Sequence, residues 1–229
     1  MLEVKDLTDE KLSWLWAYSE QISLLDRHDA HWINLSLIGW PDVELAKFLR
    51  TYRLVRGQSG KLVFANSNKK NRSQFYQICN AVFQREIGEH TGPQDADRIW
   101  KLAIEATKAK FGDDIGLNSA VSKLLWFYLP ASWIMFDRLN RAALATWLKS
   151  KRHISAKKDL TAATFSDGFE QFYRQEGEEG ARFAAGFFNR VYPYNRRVAE
   201  KFLWLMGLKD SDRKMVLAAY RASLTSAPM

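Results

Sequence analysis

The chain has 229 residues, 47% hydrophobic and 14% aromatic, enough to bury a full core and too apolar for a disordered polymer. Its 34 basic and 26 acidic residues leave a net charge of +8, a surplus that suits a polyanionic partner or solubility alone. Cys79 is the single cysteine, which excludes an internal disulfide and a four-cysteine iron–sulfur cluster, and the opening MLEVKDLTDEK lacks the apolar core of a signal peptide. A cytoplasmic setting is expected. The longest apolar run, 124–136, is too short to span a bilayer and is interrupted by Pro130 and Ser132, so no membrane is expected.

Helical spacing of Leu12, Leu15, Trp16, Ser19, Ile22 and Ser23 predicts a helix over 9–25, capped by Thr8 or Asp9. Residues 26–39 carry His28 and His31 three apart, which without a third ligand reads as a surface pair rather than a metal site. A second helix follows over 43–56, with Leu45, Leu49 and Tyr52 inward and Gly57 as its stop. The run Lys61-Leu62-Val63-Phe64 reads as a strand after a turn at 58–60, so at most a minor β-hairpin is expected in an otherwise all-α protein. The amide-rich, basic segment 66–72 can grip phosphate through Lys69, Lys70 and Arg72 and read a base edge through Asn66, or it is a plain exposed loop before a helix over 73–86. The acidic, turn-rich stretch 87–97 is the expected boundary between two lobes of one 1–229 domain.

A helix over 96–111 leads to the central stretch, 116–149. There a turn at Gly116-Leu117-Asn118 opens a helix over 119–129, stopped by Pro130. At about 100° per residue, Ser119, Ser122, Lys123 and Trp126 share one narrow face and Val121, Leu124, Leu125 and Tyr128 the opposite, core-facing one. A tryptophan beside a lysine and two serines suits a cleft lining. The link 131–136 then delivers Asp137 to a second helix ending near Lys149, with Arg138, Arg141 and Lys149 as a basic stripe and Leu139, Ala143 and Trp147 inward. The segment 149–158 adds five cations and no acid. Helices over 166–176 and 178–190, broken at Gly177, precede a Tyr192/Tyr194 turn with Arg196 and Arg197 beside it. A closing helix through Val198, Phe202, Leu205 and Met206 is capped by Gly207, and a last helix spans 210–224. No P-loop glycine pattern, zinc spacing or nucleophile elbow occurs, so neither a metal nor a cofactor is expected.

The string Ser122-Lys123, Leu125, Trp126-Phe127, Leu129-Pro130, followed by Ile134, Phe136-Asp137-Arg138 and Asn140-Arg141-Ala142-Ala143-Leu144, resembles the core of the helix-hairpin-helix superfamily of DNA glycosylases, and within it bacterial relatives of the 8-oxoguanine DNA glycosylases. The segment 196–207 is similar to the closing helix of that group. The resemblance implies two helical lobes with a cleft, and a monomer that flips out a damaged or modified base of double-stranded DNA and breaks its N-glycosidic bond, leaving an abasic site. It gives Asp137 the role of stabilising the cationic sugar and orienting water, a role that spacing alone would replace with simple helix capping. Lys123 takes the place of the lysine that forms a Schiff base in bifunctional members. The hairpin segment 113–118 keeps one glycine of the usual turn and the Lys123 to Asp137 gap is short, which favours a water-using, monofunctional enzyme with lyase action left open.

In that frame Trp126, Trp133, Phe136, Tyr192 and Asn66 would form the base pocket or the wedge that fills the gap in the duplex. Asn118, Ser119, Ser122, Arg138, Arg141, Lys69, Lys70, Arg72 and Arg196 would hold the DNA backbone. The eroded hairpin leaves room for an unusual base, as in modified phage DNA, so DNA repair and antiviral defence both fit. Two alternatives stand beside this: a non-enzymatic helical DNA- or RNA-binding protein, with salt-sensitive binding and no base release, and a protein-interaction domain whose charge is incidental.

Overall fold

The computed structural model describes residues 6–54, 58–65, 68–113, 115–151, 160, 162–188 and 190–226. Among them every regular element is helical. The chain forms two compact units, one of Met1–Arg27 with Asp137–Met229 and one of His28–Phe136.

The first unit contains α1 (Asp9–Leu24), α8 (Arg138–Ser150), α9 (Ala162–Phe172), α10 (Glu178–Phe187), α11 (Asn195–Met206) and α12 (Asp210–Ser226). Its central element is α11, which packs against α1, α8 and α10, while α9 covers α8 and α12 lies on α1. Trp14 organises the core: it stacks on Phe202 with centroids 3.9 Å apart and planes 6° from parallel, with Phe172 in the same stack at 6.4 Å from Trp14. Rings of this size contribute about 2 kcal/mol or more each on burial. Gly180 on α10 faces Trp14 so closely that a Cβ would overlap the indole, so glycine is required there for space. Tyr18 ties the 190–192 bend to α1, donating to the Arg190 carbonyl at 3.0 Å and accepting from the Tyr192 amide at 2.8 Å. The sequence-predicted break at Gly177 is a π-helical turn, Tyr173–Gly177, through which the chain passes from α9 to α10 without leaving helix.

The second unit contains α2 (Ala30–Ile38), α3 (Asp42–Thr51), α4 (Gln58–Phe64), α5 (Lys69–Glu86), α6 (Pro93–Phe111) and α7 (Asn118–Tyr128). Helix α7 packs on α2, α5 and α6, and α5 on α3, α4 and α6. Trp32, Trp40, Phe48, Tyr52 and Phe127 form one aromatic cluster with centroid separations between 5.2 and 6.0 Å. Beside it, within the π turn Leu25–Asp29, Asp29 is fully buried, accepting from the Tyr52 hydroxyl at 3.0 Å and pairing with His28 Nδ1 at 2.6 Å. His28 is thus part of the packing and not one of a surface pair.

Two expectations are corrected. The run 61–64 is the end of α4, not a strand: Gly60, Val63 and Phe64 are buried while Lys61 and Leu62 are exposed, the i, i+3, i+4 pattern of a helix, and Phe64 meets Phe75 edge-to-face at 4.9 Å. The acidic stretch 87–97 is the turn 87–92 between the packed helices α5 and α6, with the start of α6, inside the second unit; the units meet in sequence at 27/28 and 136/137 instead. Turn-forming residues mark where the chain reverses, whether or not the flanking helices then pack together. The predicted helix end at 55–57 lies outside the described residues.

Candidate active site

Asp137 stands immediately before α8 with extended backbone, φ −137° and ψ 156°. Its Oδ1 accepts the Leu139 amide at 2.9 Å, and its own amide donates to Asn140 Oδ1 at 2.9 Å, which completes a capping box. The carboxylate is partly exposed, and the helix dipole makes this a favourable place for negative charge.

What lies behind the box is unusual for a cap. Asn140 is fully buried and donates through Nδ2 to Glu200 Oε1 on α11 at 3.1 Å, and the other Glu200 oxygen pairs with Arg197. Glu200 is 2% exposed and Arg197 4%. A buried ion pair costs desolvation that its own attraction roughly balances, so the pair is better explained by what it orients than by stability. Gly207, at the end of α11, lies against Leu139: a Cβ there would sit well inside contact distance of the Leu139 carbonyl. Its φ is −80°, so it serves close approach of two helix ends and not the left-handed cap that its position in the sequence suggests.

The same helix presents Lys201 to Trp204 and to Trp16 of α1, with Nζ 4.4 Å and 5.1 Å from their ring centroids. Burial, assisted by Arg197, lowers the Lys201 amine to about 8, against the opposing pull of Glu20, Glu200 and Asp137.

In the second unit Ser122 is fully buried and knits the loop after α7. Its hydroxyl donates to the Ile134 carbonyl at 3.2 Å and accepts from the Phe136 amide at 2.6 Å and Trp133 Nε1 at 3.1 Å. It therefore fixes the backbone up to Phe136 and corrects the expectation of a phosphate contact. Trp126 at 0%, Trp133 at 1% and Phe136 at 8% exposure are packed inside, Trp133 and Phe136 both against Trp100. Rings already covered cannot serve as a wedge. The outer face expected for Ser122, Lys123 and Trp126 is absent because the packing of α2, α5 and α6 around α7 leaves no outer side there. Lys123 is itself buried, and it belongs to the second unit whereas Asp137 belongs to the first. Asn118 and Ser119, partly exposed, open α7, with the Asn118 carbonyl accepting from Trp100 Nε1.

The remaining expected DNA contacts divide. Lys69 and Lys70 are exposed in the first turn of α5, and Arg138 is exposed and Arg141 partly exposed on α8. Arg72, by contrast, is buried and grips Asp42 through two bonds of 2.9 and 2.8 Å. Arg196 pairs with Glu170 and lies over Phe169 and Tyr173. Both are structural cations, and their charges are spent within the fold. Tyr192, 2% exposed, is held by Tyr18 and is core, not wedge. Asn66 and most of the basic segment 149–158 lie outside the described residues.

Sequence reasoning missed Asn140, Glu200 and Lys201. Asp137 with Asn140 three positions on is a readable capping-box pattern, whereas the Glu200 and Trp16 contacts join residues distant in sequence. Among the described residues no cluster of His, Cys, Asp and Glu could hold a metal ion, and no helix is long and apolar enough to cross a membrane. No protein-family model, curated protein or solved structure matches this chain.

Proposed function

We propose that this chain is a DNA glycosylase of the helix-hairpin-helix kind, which flips out a damaged or modified base from duplex DNA and cleaves its N-glycosidic bond. The observation that carries the reading is the setting of Asp137: a partly exposed residue at a helix head whose carboxylate accepts the Leu139 amide and whose backbone amide is held by the buried Asn140, itself bonded to the buried Glu200–Arg197 pair. Simple capping is worth about 1 kcal/mol and needs no buried ion pair to support it. A group that must hold its angle to a reacting sugar does benefit from such backing.

As the base departs, positive charge develops at C1′ and the ring oxygen. The Asp137 carboxylate stabilises that charge and orients the water that attacks C1′, so the base leaves with its bonding pair and the sugar becomes an abasic hemiacetal. Arg138, exposed, and Arg141, partly exposed, on the same helix would hold flanking phosphates. The departure of the segment 113–118 from the usual glycine-rich turn leaves room for a modified base of foreign DNA as the substrate.

The test is a panel of duplexes with damaged bases, together with genomic DNA rich in natural modifications, incubated with wild type and Asp137→Asn. Released bases are read by mass spectrometry and abasic sites by alkali cleavage. Release by wild type alone supports the reading. Salt-sensitive binding with no release from any DNA of the panel would move the protein to the class of non-enzymatic binders.

A further inference from the structure

From Leu45 to Arg85 the chain carries nine Lys and Arg residues and no Asp or Glu. The stretch makes up most of α3, all of α4 and nearly all of α5, within the second unit. Two of its cations are paired, Arg72 with Asp42 and Arg85 with Glu86. Six others, Lys47, Arg50, Arg53, Lys61, Lys69 and Lys70, are exposed, and among the described residues none of the six forms an ion pair.

The head of α5 ties the three helices together. Arg72 grips Asp42 at the head of α3, and the charge of Lys69 also acts on Asp42. Asn68 and Asn71 both donate to the Leu62 carbonyl of α4, at 2.7 and 3.3 Å, which brings Lys61 to the same corner as Lys69 and Lys70. On α3, Lys47 and Arg50 are three apart on the exposed face opposite Leu45, Phe48 and Leu49, and Arg53 follows at the next turn.

Two of these placements work against the fold. Arg53 is the one non-glycine residue with left-handed backbone among the described residues, φ 56°, at the position just past α3 where glycine is usual, with the Leu54 amide reaching back to the Leu49 carbonyl at 2.8 Å. Lys69 and Lys70 stand in the first turn of α5, where positive charge opposes the helix dipole, and no side chain caps that helix. A bound anion would turn both placements to advantage.

We infer that the exposed cations of α3, α4 and α5 form a surface that holds the phosphate backbone of duplex DNA, independent of base sequence. None of Lys47, Arg50, Arg53 and Lys61 lies in the stretches that resemble the glycosylases, so the surface goes beyond that reading and stands whether or not Asp137 acts on a sugar. The uniform sign of charge matches a phosphate backbone. The rings Phe48, Phe64 and Phe75 of these helices are buried, which leaves no platform of those rings for stacking single-stranded bases. Their exposed large apolar side chains, among the described residues, are Val43 and Leu62 alone, too few to insert into a lipid surface.

The test measures binding of the full chain to an unmodified, fluorophore-labelled duplex by anisotropy, with salt raised from about 50 to 200 mM. Each phosphate contact contributes about 0.9 to the slope of log affinity against log salt, so Lys47→Gln, Arg50→Gln and Lys61→Gln together should lower that slope by about 2–3 and the affinity by about tenfold or more. A control triple, Lys110→Gln, Arg174→Gln and Lys209→Gln, removes the same charge from other exposed positions and should bind within about threefold of wild type. Arg53→Gly should raise the urea midpoint while weakening binding by about threefold or more, a combination that a merely structural Arg53 would not give. Equal losses in the two triples, wild-type affinity in the first triple, or wild-type binding to phosphatidylserine vesicles without binding to duplex would each overturn the inference. Duplex binding lost in the first triple, with no base released by wild type from any DNA, would uphold this surface while refuting the glycosylase reading.

Discussion

Replacing Glu200 by Leu removes a buried carboxylate to which both Arg197 and Asn140 are bonded. Arg197, 4% exposed, would keep its charge in a site that water reaches poorly, and the Asn140 amide, 0% exposed, would lose the Glu200 oxygen as an acceptor. Breaking a buried ion pair from one side costs about 3–5 kcal/mol, and an unsatisfied buried amide adds about 1 kcal/mol. That is a large part of the roughly 5–15 kcal/mol by which a folded domain exceeds its unfolded state. In a chain of this length each kcal/mol lowers the melting temperature by about 2–4 °C, so the variant should melt about 10 °C lower. Thermal unfolding followed by near-ultraviolet circular dichroism, with urea titration at 25 °C, measures the loss. The double variant Arg197→Met with Glu200→Leu should recover most of it, since the guanidinium goes together with its carboxylate, yet it should not recover base release, because the bond from Asn140 to Glu200 would still be missing. A single-variant shift below about 2 °C would refute the idea that a constrained network stands behind Asp137.

Gly207→Ala should push the first turn of α8 away from the end of α11, costing about 1–3 kcal/mol in urea unfolding and lowering base release beyond what the lost stability explains. For Lys201 the folded state gives up its proton near 8 while the unfolded lysine holds its own to 10.5, so between these values the unfolded state binds more protons and stability rises with pH, by at most about 3 kcal/mol. Urea midpoints at pH 7.5 and 10 should show that gain, and Lys201→Met should abolish it. Asp42 is held below the usual carboxylate value, first by its hydrogen bond from Arg72, so the pair contributes above about pH 4 and is lost as pH falls through the lowered value. Arg72→Met should cost about 1–2 kcal/mol at neutral pH and flatten the acid limb of the stability curve in that range.

Most helices were readable from apolar spacing, because amphipathic patterns over 9–25, 96–111 and 119–129 are long and end at strong signals such as Pro130. The 61–64 segment misled because a short apolar run has no period of its own; Gly60, whose burial reveals the helical face, carries no side chain to signal it. Asp137 was readable as the head of a helix. The meaning of Arg72 and Arg196 was not, since a cation counted along the chain looks available until its acid, 30 residues away for Arg72 and 26 for Arg196, folds against it. Trp126 was read as cleft lining for the related reason that a helical wheel assumes one open side, and α7 packs on α2, α5 and α6. Lys201 went unnoticed because the feature that sets it apart comes partly from Trp16, at the far end of the chain.

The most direct measurement of the central claim is the single-turnover rate of base release by wild type and Asp137→Asn on the same modified duplex, beside the dissociation constant of each. Asn retains an oxygen that can cap α8 and loses the charge, so binding and fold should be kept while the release rate falls by about a hundredfold or more. Equal rates for the two proteins, at equal affinity, would show that Asp137 is only a helix cap.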